Sequence, residues 1–230
     1  TRKESSAASD VYKRQIDGPA GAGKSTVARG AAKQLGYIYV DTGALYRAIG
    51  VNALRNGVDT KDKAAVAASL DGVKVNLVFE NGEQKVMLNG EDVSVEIRTP
   101  EASMAASDVS AVPEVRAFLF DLQRDIAKRN SCIMDGRDIG TVVLPQAQVK
   151  IFLTASPEIR AERRYKELIE KGSEVDYQSV LDDIVKRDYN DSHREIAPLK
   201  PAEDSVLFDT TGLALDESVA AITKIIKEKI

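Results

Sequence analysis

The chain has 230 residues, 43% of them hydrophobic and 30% charged, with 36 acidic and 32 basic side chains and a formal net charge of −4. That balance fits one large globular domain or a core with insertions, and it gives no overall basic field with which to wrap duplex nucleic acid. A single cysteine, Cys132, excludes an intramolecular disulfide, and no stretch approaches the roughly 18 apolar residues of a membrane span, so a soluble cytoplasmic protein without nucleic-acid or membrane partners is expected.

Residues 1–15 sit badly with everything after them. Thr1–Ser9 is polar and rich in Ser and Ala, and Val11-Tyr12-Lys13-Arg14-Gln15 puts two charges just before Ile16. A central parallel strand at that point should be almost continuously apolar. The expectation is a foreign segment over 1–15 and a single domain over 16–230. Exchanging residues 1–15 for Met and a short apolar strand should then raise the melting temperature.

Gly18-Pro19-Ala20-Gly21-Ala22-Gly23-Lys24-Ser25 completes a G-x-x-x-x-G-K-[ST] loop, followed by Thr26. Its glycines let successive backbone N–H groups converge on phosphate oxygens, and Lys24 adds a point charge. Ser25–Leu35 reads as a helix ending at Gly36, with an N-terminal dipole that favours anions. The loop predicts a nucleoside triphosphate site in which Ser25 reaches a Mg2+ ion.

Farther along, apolar runs alternate with helical patterns. Tyr37–Val40, Cys132–Met134, Val149–Leu153 and Val206–Phe208 are the expected strands. Ala44–Arg55, Pro113–Arg129, Pro157–Glu170 and Leu215–Lys229 have helical spacing. Cys132 is expected at a buried strand position. Between residues 72 and 95 the rhythm changes: Val73–Phe79 alternates, Asn81-Gly82 makes a turn, and Lys85–Leu88 runs back before Asn89-Gly90. The predicted fold is α/β, a P-loop NTPase-type three-layer arrangement with a central parallel sheet and a small antiparallel insertion.

A phosphate loop alone does not choose between a kinase, a GTPase and a motor. Asp41-Thr42-Gly43-Ala44-Leu45-Tyr46-Arg47 follows a strand and opens a helix, so its hydroxyl and guanidinium are placed for a second anionic ligand. Asp135-Gly136-Arg137-Asp138-Ile139-Gly140-Thr141 follows another strand end, where open α/β sheets bind ligands. Arg160, Arg163 and Arg164 fall on one helix face. Arg187 and Arg194, about two turns apart, share a face if their helix continues. Either arginine cluster alone reads as a solvated face; beside a phosphate loop it suits the charge of phosphoryl transfer. No Asn-Lys-x-Asp guanine signature is present. The sole histidine, His193, lies in a polar helix and is expected to face solvent.

Taken together, Gly18–Thr26, Asp41–Arg47, Glu96-Ile97-Arg98-Thr99-Pro100-Glu101, Asp135–Thr141 and Arg187-Asp188 through Arg194-Glu195-Ile196-Ala197-Pro198-Leu199 resemble bacterial cytidylate kinases in order and spacing. The resemblance spans about Ile16–Ile230. It implies a monomeric nucleoside monophosphate kinase that moves the γ-phosphoryl group of ATP to CMP or dCMP with Mg2+. It also implies a core over 16–70, 96–155 and 195–230, an insertion over about 71–95, and a helical lid over about 156–194. By the same resemblance, Thr42 and Arg47 contact the acceptor nucleotide, Ser107 and Arg116 read cytosine, and Arg137 and Asp138 hold the monophosphate and sugar hydroxyls. Arg187 and Arg194 contact the phosphates in flight, with Lys24 and Arg137 beside them as catalytic groups. Gly18–Thr26 and Arg160, Arg163 and Arg164 serve ATP. The alternatives are another P-loop small-molecule kinase, such as an adenylate or shikimate kinase, and a nucleotide-binding switch without kinase activity.

Overall fold

The computed structural model describes residues 13–80 and 83–229. Five parallel strands form the central sheet in the order β2-β6-β1-β7-β8, with β1 Lys13–Asp17, β2 Ile38–Asp41, β6 Cys132–Gly136, β7 Val149–Thr154 and β8 Val206–Asp209. Every residue of β6 is buried, as a strand covered on both faces requires. Alternation along β6 sorts its side chains. Ile133 joins Ile16, Ile151 and Leu153 against α1 (Lys24–Leu35) and α8 (Leu215–Glu228), whereas Cys132 and Met134 face Ala127 of α5 (Pro113–Arg129). Three layers result.

The helices start where the sequence supplies caps. Asp41 accepts from the N–H of Ala44 and opens α2 (Thr42–Arg55) two residues before the apolar pattern suggests. Thr99 and Ser156, each followed by Pro, open α4 (Pro100–Val109) and α6 (Pro157–Glu170). Asp176 caps α7 (Tyr177–His193). That helix stops at His193, because Arg194 turns to extended backbone, so Arg187 and Arg194 do not share one helical face. His193 is exposed and stacks on Tyr189 with ring centres 4.1 Å apart.

A second, antiparallel sheet holds β3 (Val75–Glu80), β4 (Glu83–Leu88) and β5 (Glu91–Asp92). Asn89 and Gly90 take left-handed conformations between β4 and β5; the expected Asn81-Gly82 turn lies outside the described residues. Val75, Val86 and Leu88 pack with Leu45, Ile49, Ile97 and Leu119, so this sheet shares a core with α2, α4 and α5. The short helix α3 (Lys63–Ala68) precedes it.

β1 begins at Lys13, within the stretch whose charges looked out of place; residues 1–12 lie outside the described residues. Arg14 and Gln15 are each 1% exposed. The Arg14 guanidinium lies over the Tyr37 ring at 3.9 Å and donates to its hydroxyl at 3.0 Å, which accommodates the charge without displacing the strand. Cys132 is buried as expected, and burial pushes its thiol up to about 11.

Candidate active site

The carboxyl ends of the central strands open onto a single cleft of about 930 Å³. Its floor is the phosphate loop between β1 and α1. Gly18 is obligatory by close approach, since a Cβ there would stand 1.9 Å from the Leu153 carbonyl oxygen of the neighbouring strand. Gly18 and Pro19 therefore hold the loop against the sheet, while Ala20 through Thr26 line the cleft. Lys24 Nζ curls back to donate to the Pro19 carbonyl at 2.7 Å. Burial and the nearby Arg137 charge bring its ammonium down to about 7.

Ser25 leads to a residue whose role the sequence did not single out. Its hydroxyl donates to Asp135 Oδ2 at 2.7 Å, and the Tyr39 hydroxyl donates to Oδ1 of the same carboxylate at 3.3 Å. Asp135 is buried, and desolvation beside Asp41 raises it to about 6 despite Lys24 nearby. Two hard oxygen donors thus stand side by side at the start of α1, a set suited to Mg2+ with water completing its shell. Asp17, at the end of β1, is buried as well. It accepts from the N–H groups of Ile139 and Gly140 at 3.0 and 2.8 Å, joining the end of β1 to the π-helical turn Ile139–Val143, and burial lifts it to about 7.

The facing wall is made of arginine–aspartate groups. Arg47 donates to Asp41 Oδ2 at 2.7 Å, and Arg98 approaches the same oxygen at 3.4 Å. Burial works against the Asp41 carboxylate, but these guanidinium groups outweigh it and hold its pKa below the usual range. Arg116 pairs closely with Asp138 and also donates to the Ser110 carbonyl at 3.3 Å. Arg194 lies 3.7 Å from the other Asp138 oxygen and donates to the Ala197 carbonyl at 2.6 Å. Arg137 donates to Asp191 at 3.0 Å. Thr42 donates to the Asp135 backbone oxygen at 2.7 Å, and Ser107 lines the cleft beside Ser103 and Ser110.

The site thus brings together Lys24, Ser25, Thr42, Arg47, Ser107, Arg116, Arg137, Asp138, Arg163, Arg164, Arg187 and Arg194 in one cleft. Arg163 donates to the Thr210 hydroxyl and carbonyl at 3.1 and 2.9 Å, and Arg164 to Glu167 at 2.9 Å. Arg160 is the departure. It is 3% exposed and turned away from the cleft, because a helix face three and four residues wide spans both the opening and the protein behind it. Arg187 carries a buried Nε with no hydrogen-bond partner among the described residues, and burial together with Arg137 pushes its guanidinium below its ordinary range. Among the described residues, Arg47 and Arg194 also each have a buried nitrogen without a hydrogen-bond partner. A cleft in which the Arg137 charge disfavours the charged forms of both Lys24 and Arg187 is complementary to a polyanion.

Asp41, Asp191 and Arg98 also belong to the wall. Asp191 was findable, standing midway between Arg187 and Arg194 in sequence; Asp41 presents itself first as a helix cap.

A family model described as cytidylate kinase matches residues 15–228. The cytidylate kinase of Caldicellulosiruptor bescii is 49% identical over 219 residues, covering 94% of this chain and 97% of its own length. That of Lactobacillus johnsonii is 53% identical over 214 residues, 93% of each chain. A solved structure of an uncharacterized protein from Eubacterium ventriosum has a TM-score of 0.53 at 13% identity, over 95% of this chain and 99% of that one, a likeness of fold alone.

Proposed function

Since the chain belongs to the cytidylate kinase family, we propose that it transfers the γ-phosphoryl group of ATP to CMP and dCMP, yielding ADP and CDP or dCDP. The observation that carries the reading is one cleft lined both by the phosphate loop with Lys24 and by Thr42, Arg47, Ser107, Arg116, Arg137 and Arg187. One side suits a triphosphate and the other a nucleoside monophosphate.

In the transfer, a phosphate oxygen of CMP bonds to the γ-phosphorus as the bond to the β–γ bridging oxygen breaks, and ADP leaves with that electron pair. A monophosphate loses its second proton at roughly pH 6, so no side chain need remove one. The carboxylates near the cations fit this: Asp138 is engaged by Arg116 and approached by Arg194, and Asp191 by Arg137, which leaves them to position groups rather than to accept a proton. Lys24 neutralises charge on the donor phosphates. Arg187 and Arg137 meet the charge that spreads over the moving group, and Arg47 with Arg194 clamps the acceptor. Mg2+, held by Ser25 with Asp135 beside it, would supply a further positive charge at the donor phosphates.

Closure of the α6–α7 hairpin, which has its own small core of Ala161, Val180 and Ile184, would exclude water and limit hydrolysis of ATP. One chain supplies both halves of the cleft, which supports action as a monomer. Among the described residues no helix is long and apolar enough to cross a membrane.

A coupled assay with ATP, Mg2+ and a panel of acceptors tests the reading. CMP and dCMP should give the highest turnover. Faster reaction with AMP or shikimate overturns the choice of acceptor, and ATP binding without transfer to any acceptor favours a nucleotide switch.

A further inference from the structure

Arg160 belongs to the arginine triplet of α6, yet its donors all point into protein behind the phosphate loop. Nε donates to the Ala155 carbonyl at 2.8 Å, and Nη1 to the Ala20 carbonyl at 2.9 Å. The two terminal nitrogens also grip Asp188 of α7 in a two-pronged pair, at 3.0 Å to Oδ1 and 2.5 Å to Oδ2. One side chain therefore ties the end of β7, the phosphate loop and α7 together. Gly21 sits against the same structure: a Cβ there would lie 3.2 Å from Arg160 Cβ and 3.5 Å from Ile184 Cδ1.

Two consequences follow from covalent geometry. The C=O and N–H of a trans peptide point in opposite directions, so capture of the Ala20 carbonyl by Arg160 turns the Gly21 N–H away from Arg160. Asp188 directly follows Arg187 on α7, so anchoring its carboxylate behind the loop fixes the turn of helix that carries Arg187 into the cleft. Bidentate charge-assisted pairs are the geometry best able to fix such a register.

We propose that Arg160 and Asp188 form a positioning pair that sets Arg187 over the phosphate loop, and that Arg160 makes no contact with nucleotide. Nucleotide contacts from α6 fall to Arg163 and Arg164, which line the cleft. The proposal rests on the reading of the site as an ATP-dependent kinase.

The test uses the full chain with Arg160→Lys, Asp188→Asn, Arg187→Ala and the double variant Arg160→Lys/Arg187→Ala. Turnover with CMP and calorimetric affinity for ATP are measured for each. Lysine keeps the charge and loses the fork, so turnover should fall about tenfold, the size of a coupled pair, while ATP affinity stays within about twofold. The double variant should be no slower than Arg187→Ala alone, because the pair acts through Arg187. Multiplicative losses in the double variant, a tenfold weaker ATP affinity in Arg160→Lys, or normal turnover in it would each overturn the proposal. Should Arg160→Lys fail to fold by circular dichroism, Asp188→Asn carries the same comparison with Arg160 still bound to Ala20 and Ala155. An unaltered chain that does not phosphorylate CMP refutes the kinase reading separately; the pair is then judged by ATP affinity, which Arg160→Lys must leave unchanged.

Discussion

On the donor side of the cleft the chain offers a backbone loop with one lysine, pressed against the sheet through Gly18; on the acceptor side it offers guanidinium groups, each held by an aspartate from another element. The donor side has little freedom to move, since its geometry is set by peptide units packed on β7. The acceptor side is a set of ion pairs whose long side chains can exchange a carboxylate for a phosphate. A backbone site tolerates no added atom, whereas a side-chain site loses binding in graded steps.

Adding one methyl group to each side gives the widest contrast. Gly18→Ala puts a Cβ into the Leu153 carbonyl and should cost about 3 kcal/mol or more, with loss of ATP binding, by urea unfolding and calorimetry. Gly43→Ala meets only the ends of the Arg47 and Asp41 side chains at 3.2 Å, and should fold normally. Equal destabilisation by the two would break the comparison.

Removal of the cation between the halves comes next. Arg187→Ala should slow turnover roughly a hundredfold while ATP affinity stays within about twofold, as expected for charge stabilisation confined to the transition state. Steady-state kinetics with a separate ATP titration distinguishes the two, and near-normal turnover removes Arg187 from that role. Arg47→Ala should act on one side only. The Michaelis constant for CMP should rise about tenfold, the worth of one charged hydrogen bond, with that for ATP unchanged. A matching rise for ATP would mean that the two sides are not separable.

The smallest effect belongs to the donor lysine. Lys24 titrates at about 7 in the protein alone, because burial and Arg137 disfavour its ammonium form. A bound triphosphate favours that form and raises the value. Between the two values ATP binding takes up a proton, and affinity falls as pH rises, by at most about tenfold per pH unit. Calorimetry at about pH 8 in buffers of different ionisation enthalpy measures the uptake, which Lys24→Met should abolish. Proton release on binding would contradict the assignment.

The donor side was also the easier one to read. Gly18–Ser25 announces itself because a loop built from backbone depends on local conformation, and the elements around it follow from apolar runs and caps: Pro113–Arg129 and Pro157–Glu170 form helices at the predicted bounds. Helix α3 was missed because six residues with one buried side chain, Val66, carry no period. Lys13–Gln15, with two charges, read as unlike a central strand; they pair with β6 and β7, with Arg14 lying over Tyr37. The triplet Arg160, Arg163 and Arg164 shows the same limit. Helical spacing puts all three on one side of α6, but only tertiary contacts send Arg160 behind the loop and the other two into the cleft.

By itself the sequence determined the phosphate loop, the parallel α/β core, the antiparallel insertion and the kinase resemblance, because each depends on residue order within a few turns of chain. Tertiary structure alone decided the side-chain pairs between distant parts of the chain. Ser25 of α1 meets Asp135 of β6 across 110 positions and Arg137 meets Asp191 of α7 across 54, and such pairs exist only once helices and strands far apart in the chain have packed together. A guanidinium on a flexible stem takes its position from its partner, and partners are chosen by folding.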